Sequence, residues 1–449
     1  MSSRRPLYFT VPHMRRMGVF MKLNYKRTIL VGFAFFLISA FWGAYDAIVP
    51  KILTNLFHMK QGLSGFVMSF DNILAVVMLP VFGAISDKVN TKWGRRTPFI
   101  FVGTCLAVVF FLLLGTIREP SLLWLFIVVL LLTLISMATF RSPAVALMPD
   151  VTVKPLRSKG NAIINLMGTA GGILVLVFGI VFQTGAEGKT DFLSYVVAVC
   201  VLMVAGLIVF LLTVKEPLWA KEMEEDTKKY GIDEVPGSVN EGQKRALSKD
   251  EMRSLLLILA SVALWYIGYN AVTSKYSVYA QEVLHVDFNT TLIVAQAAAI
   301  VSYIPVGIVS SKVGRRKAIL TGIVMLTTAF VVAIFLTDVS SELAMFPIFA
   351  LAGIGWATIN VNSFPMVVEL AKVGDTGKYT GYYYTASMAA QIVTPVLSGI
   401  LVDAVGWGIF FPYAAIFAGL SFVTMFFVKH GDSKPEVKKS VLEALDVDD

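Results

Sequence analysis

Three charged residues lie inside long apolar stretches of the chain, where an isolated charge is costly. Asp46 and Asp71 supply carboxylates, and Arg141 supplies a guanidinium that cannot lose its proton. A carboxylate in apolar surroundings can hold a proton or ionise beside a cation, so this set predicts cation coupling by reversible protonation. At helical rise Asp71 lies about 13 Å beyond Gly62, near the middle of its stretch, and it is the leading candidate.

Each of these three assignments has a structural alternative. Asp71 could be a carboxylate that stays hydrogen-bonded beside Asn72, and Asp46 could lie at the outer boundary of its stretch. Arg141 falls in the inner half of its stretch, so contact with Asp71 needs its long side chain or a bridging water. If the guanidinium reaches cytoplasmic water instead, the coupling hypothesis is weaker.

Aromatic and amide side chains in the same stretches predict binding of a neutral polyhydroxylated ligand. Trp42, Tyr45 and Asp46 form a stripe in which an aromatic face could stack on a sugar ring while the carboxylate accepts hydroxyl hydrogen bonds. Each amide could instead bond a neighbouring helix, and Lys275 is expected to snorkel to the membrane interface. The candidates in the second part of the chain are neutral: Tyr269, Asn270, Gln296, Trp356, Asn360, Asn362 and Gln391.

Composition places these residues in a membrane protein. Of 449 residues, 56% are hydrophobic and 15% are charged, whereas about a quarter are charged in soluble domains. About twelve apolar stretches have the roughly 20 residues that a membrane helix needs, which predicts an all-α fold with twelve transmembrane helices. They lie near 28–50, 62–85, 98–117, 121–148, 160–183, 191–213, 254–280, 288–311, 318–337, 343–370, 379–403 and 408–429.

A basic, glycine-containing connector occurs twice and indicates an internal duplication. Gly83 to Arg96 follows the second stretch, and Gly307 to Lys317 follows the eighth. Mixed charge without apolar periodicity predicts a solvated linker with some surface helix between the halves. Duplicated bundles of this kind are typical of transporters. The predicted units are a basic tail 1–27, a six-helix bundle 28–213, a linker 214–253, a six-helix bundle 254–429 and a tail 430–449.

Lysine and arginine placement predicts the orientation. Basic residues concentrate in the first tail, the two connectors and the loop after the fourth stretch, so both termini are expected in the cytoplasm and the chain in the plasma membrane. The net charge of +8 forms no continuous stripe, which argues against a nucleic-acid partner. The sequence has no nucleophile with a base, metal-ligand spacing or cofactor motif, so we expect neither an enzyme nor a cofactor.

Three segments resemble the major facilitator superfamily, and within it the sucrose-transporter-like branch of the glycoside, pentoside and hexuronide cation symporters. They are Gly83 to Ile100, Phe140 to Asp150 and Asn362 to Pro365. The resemblance implies two pseudo-symmetric bundles that give alternating access to a shared site, driven by a cation gradient. Ala75 and Leu79 stand where the melibiose-permease type carries acidic residues that look like sodium ligands, which favours a proton over sodium.

The resemblance also points to a cytoplasmic gate at the connectors. Asp87, Arg95 and Arg96 are expected to latch the halves in one conformation and release them in the other. Alternatively, the arginines only enforce the inside location. Ser311 stands in the second connector where the first has Asp87, so the gate need not be symmetric. The other expected gate residues are Gly83, Gly94, Asp150, Gly314, Arg315, Arg316 and Glu369.

The favoured function is a symporter that moves a sugar or glycoside across the bilayer with protons and works as a monomer. One alternative is an exporter or exchanger of another small metabolite. Another is a transporter-like receptor that binds a ligand without moving it, which the short linker and tails disfavour because they contain no obvious output domain.

Overall fold

Long helices make up the fold throughout the part of the chain that the computed structural model describes, which is residues 23–153, 156–229, 248–336, 342–370 and 376–431. Within these ranges the only strand pairing is an isolated bridge between Thr91 and Gly94. The predictions for most of both tails and for linker residues 230–247 lie outside the described residues.

The first half consists of helices α1 to α6, and a linker helix follows it. Helix α1 continues into a π-helical turn, Ile52–Leu56, and α2 is broken at Ser69. The bounds are α1 Tyr25–Lys51, α2 Gln61–Met68 and Phe70–Lys88, α3 Thr97–Thr116, α4 Leu123–Val151, α5 Arg157–Val181, α6 Leu193–Thr213, and the linker helix Glu216–Lys229.

The second half consists of helices α7 to α12. Helix α7 also continues into a π-helical turn, Ala280–Leu284. The bounds are α7 Lys249–Tyr279, α8 Phe288–Val313, α9 Arg315–Ile334, α10 Phe346–Glu369, α11 Thr376–Val405 and α12 Phe410–Phe426.

Ten helical segments of the described chain are long and apolar enough to cross a membrane. Helices α8 and α10, with 26 and 24 residues, are as long as the others but are not among the ten. An all-helical fold is thus confirmed for the described residues. The number of twelve spans and the cytoplasmic location of the termini stay predictions.

The two halves repeat several local features. The π-helical turns after α1 and α7 are each followed closely by a histidine with positive φ, His58 at 51° and His285 at 53°. Each basic connector contains a glycine in the region of φ that favours glycine, Gly94 at 111° and Gly314 at 95°. The halves therefore share backbone geometry as well as the connector sequence.

The halves meet along three helix pairs, α2 with α11, α5 with α8, and α1 with α7. Glycines allow the closest approach, because a Cβ at Gly65 of α2 would overlap the Pro395 carbonyl of α11, and a Cβ at Gly399 would overlap the Gln61 carbonyl. Without a hydrophobic drive between helices in lipid, such small residues let backbones pack closely. Contact between the halves is therefore concentrated in these three seams.

The linker helix docks on the first half. Glu216 and Trp219 are buried, and the Arg27 guanidinium of α1 lies 5.0 Å from the centre of the Trp219 ring and pairs with Glu222. The surface helix expected in the linker is present, but its first turns are packed against the protein instead of being solvated.

The packing of α8 on α10 gives the first prediction. A Cβ at Gly353 of α10 would overlap the Ala295 carbonyl of α8, so we expect Gly353→Ala to lower the free energy of unfolding by about 1–3 kcal/mol. The midpoint of thermal unfolding in detergent measures this loss. The matched control is Gly381→Ala on α11, where an added Cβ meets nothing within 4 Å. Equal midpoints for the two variants would contradict the close approach.

Candidate functional site

A central cavity of about 1250 Å³ lies between the two halves. Residues of α1, α2, α4 and α5 line one side. Residues of α7, α8, α10 and α11 line most of the other, together with Ala329 and Phe330 of α9 and Phe411 of α12. Among the described residues, the charged side chains on this wall are Asp46 and Arg141, both from the first half, while the second half contributes neutral groups. The cavity therefore has one charged side and one neutral polar side.

Most residues predicted to bind a ligand lie on this wall. Asp46 is exposed and lines this cavity. The predicted residues on the wall are Trp42, Asp46, Arg141, Tyr269, Asn270, Gln296, Trp356, Asn360 and Gln391.

Tyr45 and Asn362 require a correction, because the structure places both outside the cavity. Tyr45 is fully buried and stacks on Phe41 with ring centroids 6.0 Å apart. Asn362 is 2% exposed and donates from Nδ2 to the Thr358 carbonyl at 2.9 Å. Helical rotation explains the second case, since Asn362 lies about 200° around the helix from Asn360. These two side chains belong to the packing within each half.

Each half presents aromatic rings to the cavity. In the second half, the Tyr269 and Trp356 rings are stacked at a centroid distance of 3.6 Å and an angle of 6°. Tyr266 packs edge-on against Trp356 at 5.3 Å. In the first half, the Arg141 guanidinium lies 5.5 Å from the centre of the Trp42 ring.

Asp71 lies behind the wall and next to its charged side. Its Oδ1 accepts hydrogen bonds from the backbone and side-chain amides of Asn72, with the side-chain bond at 2.7 Å, and Asn72 itself lines the cavity. Asp71 lies within electrostatic range of both Arg141 and Asp46. The fold thus brings the three predicted coupling residues into one cluster, with Asp71 in the contact with Asn72 that the structural alternative described.

Several residues that line the cavity were not predicted to do so from the sequence. Tyr266 precedes Tyr269 by one helical turn, and Asn161 and Asn165 are also one turn apart, a spacing that could have marked a shared polar face. The missed polar residues include Asn72, Asn161, Asn165, Tyr266, Tyr383 and Tyr384.

At the connector end of the bundle, which we call the basic end, the charged residues that were predicted to form the gate are paired within their own halves. Arg96 donates from Nε to Asp150 at 2.7 Å and also pairs with Asp87, while Arg95 lies 3.4 Å from Asp150. Burial lowers the pKa of Arg96, but the hydrogen bonds to Asp150 and Asp87 outweigh it and raise the pKa overall, so the guanidinium keeps its charge. Gly83 packs closely on Ser142 of α4.

The second connector repeats this pairing. Arg315 pairs with Glu369, and both this pair and Arg96–Asp150 are separated by 54 residues in the sequence. Arg316 donates to the Phe426 carbonyl. These contacts stay inside one half, so a latch between the halves stays a prediction for another conformation, and the Ser311 side chain lies outside the described residues.

Glu216 makes a contact with the first connector that the sequence did not reveal. Its carboxylate accepts from the backbone amides of Arg95 at 2.6 Å, Arg96 at 2.9 Å and Thr97 at 2.8 Å, and from the Thr97 hydroxyl at 2.7 Å. It thereby caps the N-terminus of α3, where a carboxylate is favoured by the unpaired amides and the helix dipole. Glu216 also occupies the space that a side chain at Gly94 would need.

At the opposite end, which we call the sealed end, polar contacts cross between the halves. Asn289 of α8 donates to the Thr184 hydroxyl at 2.9 Å, and Asn55 donates to Gln281 at 3.2 Å. The expectation that Lys275 snorkels is wrong, since Lys275 is 2% exposed and donates to the Gln61 carbonyl at 2.7 Å. Its charge is satisfied in the seam and does not need the membrane interface.

The chain belongs to the Major Facilitator Superfamily, whose model matches residues 31–385 and 292–445. It is 25% identical over 425 residues to an uncharacterized MFS-type transporter from Methanocaldococcus jannaschii, covering 90% of this chain and 95% of that protein. The fold is similar to the inward open conformation of the xylose transporter XylE from E. coli, with a TM-score of 0.66, 14% identity and coverage of 94% of this chain and 99% of that chain.

A shorter similarity involves the sucrose transport protein SUC3 from Arabidopsis thaliana, 27% identical over 150 residues, which is 29% of this chain and 24% of that protein. With the family established, the protein is a multi-pass membrane transporter and not an enzyme. Membership of this family implies a small-molecule solute and a membrane setting.

The cap on α3 gives the second prediction. Glu216→Ala leaves buried amides without an acceptor, so we expect a loss of about 1–3 kcal/mol in the free energy of unfolding, measured by thermal unfolding of the purified protein. Glu224→Ala removes an exposed carboxylate from the same helix and is expected to leave stability unchanged. If both variants unfold at the wild-type temperature, Glu216 does not stabilise the connector.

Proposed function

We propose that this transporter is a symporter that moves a sugar or glycoside together with protons. The observation that carries the proposal is the division of the cavity wall, with stacked aromatic rings and amides on one side and Asp46 and Arg141 on the other, where Asp71 lies directly behind them.

The neutral side of the cavity suits a polyhydroxylated ligand. The apolar face of a sugar ring can pack on an aromatic ring such as Trp356, while amides such as Asn360 and Gln391 exchange hydrogen bonds with hydroxyls. The open cavity of about 1250 Å³ exceeds typical small-ligand pockets of about 300–1,000 Å³, so it has room for a disaccharide. The partial similarity to a sucrose transport protein supports sucrose as the first solute to test.

The charged side suits proton coupling. When Asp71 is ionised, it can hold Arg141 by electrostatic attraction. When Asp71 takes up a proton, that attraction is lost, and Arg141 can then bind solute hydroxyls or move. Ala75 and Leu79 face the cavity without offering carboxylate oxygens, so we propose the proton rather than sodium as the coupling ion.

The third prediction tests the coupling. In proteoliposomes with an imposed inward proton gradient, the wild type should accumulate labelled sucrose or a related α-glucoside. Asp71→Asn should abolish accumulation while sparing exchange of solute across the membrane, because the amide cannot release a proton. Asp191→Asn, which changes an exposed loop carboxylate, is the control and should accumulate normally. Accumulation by Asp71→Asn at the wild-type level would refute the assignment.

The fourth prediction tests recognition. Trp356→Ala removes the ring stacked on Tyr269, and we expect sugar affinity to fall about tenfold or more, since burying such a ring contributes above 1.4 kcal/mol. The shift in thermal stability against sugar concentration gives the affinity. Trp124→Ala is the matched control, because Trp124 is 67% exposed and far along α4 from the cavity residues. Unchanged affinity in Trp356→Ala would exclude this ring from the binding site.

A further inference from the structure

The N-terminus of α2 has no cap from its own sequence. Its N-cap residue, Lys60, makes no side-chain hydrogen bond to the first turn, and the first amides of a helix have no partner within the helix. The acceptor comes from the other half: the Asp403 carboxylate of α11 accepts from the Gln61 amide at 2.7 Å and from the Gly62 amide at 2.6 Å.

A cation from the second half holds the same residue from another direction. Lys275 of α7 donates from Nζ to the Gln61 carbonyl at 2.7 Å and lies 3.4 Å from the Gln61 side-chain oxygen. Lys275 is also within electrostatic range of Asp403. The backbone of Gln61 therefore lies between an anion that meets its amide and a cation that meets its carbonyl.

The helices around this contact leave little space. Gly62 packs on Ile400, and Gly399 packs on the Gln61 carbonyl so closely that a Cβ would overlap it. Gln61 is 9% exposed, although Asp403 itself is exposed at the rim of the seam. Lys275 and Asp403 therefore act directly on the backbone of Gln61 at short range, through charge-assisted hydrogen bonds, and the Lys275 side of the contact is out of water.

We propose that Gln61 and Gly62, held between Lys275 and Asp403, form the gate of the sealed end, and that Lys275 and Asp403 pair with each other when the halves separate. We call these four residues the clasp. Lys275 and Asp403 both belong to the second half, so a rigid movement of the halves removes α2 from between them and leaves both charges together.

This change of partner, from the Gln61 carbonyl to Asp403, explains why Lys275 can be buried at a moving interface. A buried ammonium left without a partner is strongly destabilising, but here the partner carboxylate travels with it. The amides of α2, once released, can be hydrated in the opened cleft. The clasp thus stabilises the closed sealed end without leaving a charge unpaired in the open conformation. Its action does not depend on which solute is carried.

Distances between spin labels across the sealed end test the clasp without any solute. In a background with Cys105 and Cys200 replaced, labels at Glu119→Cys and Gly408→Cys report on the first and second halves from exposed positions. We expect Lys275→Met and Asp403→Asn each to raise the ratio of long-distance to short-distance populations about tenfold or more. Glu282→Gln, whose carboxylate binds Trp407 within the second half, is the matched control and should leave the ratio unchanged.

Two further variants keep the test decisive if one variant fails to fold. Gly399→Ala forces α2 away without changing a charge and should also favour the long distance. The exchange Lys275→Asp with Asp403→Lys keeps the mutual attraction of the pair but presents an anion to the carbonyl and a cation to the amides, so it should open the seal further. A normal short distance in the exchange variant or in both single variants would overturn the clasp, whatever the sugar experiments give.

Discussion

The cost of a charge in the membrane interior is the constraint on which this structure depends. Asp46, Asp71 and Arg141 reduce this cost by lying close together at the central cavity. At the sealed end, the ammonium groups of Lys51 and Lys275 reduce the same cost, because each donates to a backbone carbonyl. The Lys51 ammonium also lies 5.2 Å from the centre of the Phe288 ring of the other half. These charged residues thus have their partners where the two halves face each other. A movement of one half relative to the other therefore changes the surroundings of the charges.

At two helix N-termini, a carboxylate from another helix caps the backbone amides. One of these caps lies within a rigid half, and the other lies between the two halves that move. Glu216 caps α3 from the linker helix, which docks on the same half, so a movement of the halves leaves that cap intact. Asp403 caps α2 from the opposite half, so separation of the halves must break it. The first carboxylate holds the basic connector and its Arg96 pairings in place. The second ties the conformation of the transporter to a small set of polar contacts.

The sequence predicted the helices well and the contacts less well, for physical reasons. Length and apolarity are local properties, so the helix bounds were close throughout, and aromatic and amide residues within apolar stretches identified much of the cavity wall. The direction in which a helical face points depends on the neighbouring helices, which is why Tyr45 and Asn362 were assigned to the wall and Tyr266 was missed. Glu216 caps amides about 120 residues earlier in the chain, and Lys275 is buried only because α2 supplies a carbonyl, so neither role could be read locally.

In the proposed mechanism, charges in the first half couple a proton to a neutral solute that the second half recognises. The most direct test is the current that a sucrose concentration jump evokes on a supported membrane containing the reconstituted protein. Proton–sucrose symport predicts a current that carries positive charge in the direction of sucrose movement and that grows with the proton concentration on the side from which sucrose enters. Accumulation of labelled sucrose in the same preparation, without current and without dependence on protons, would contradict it.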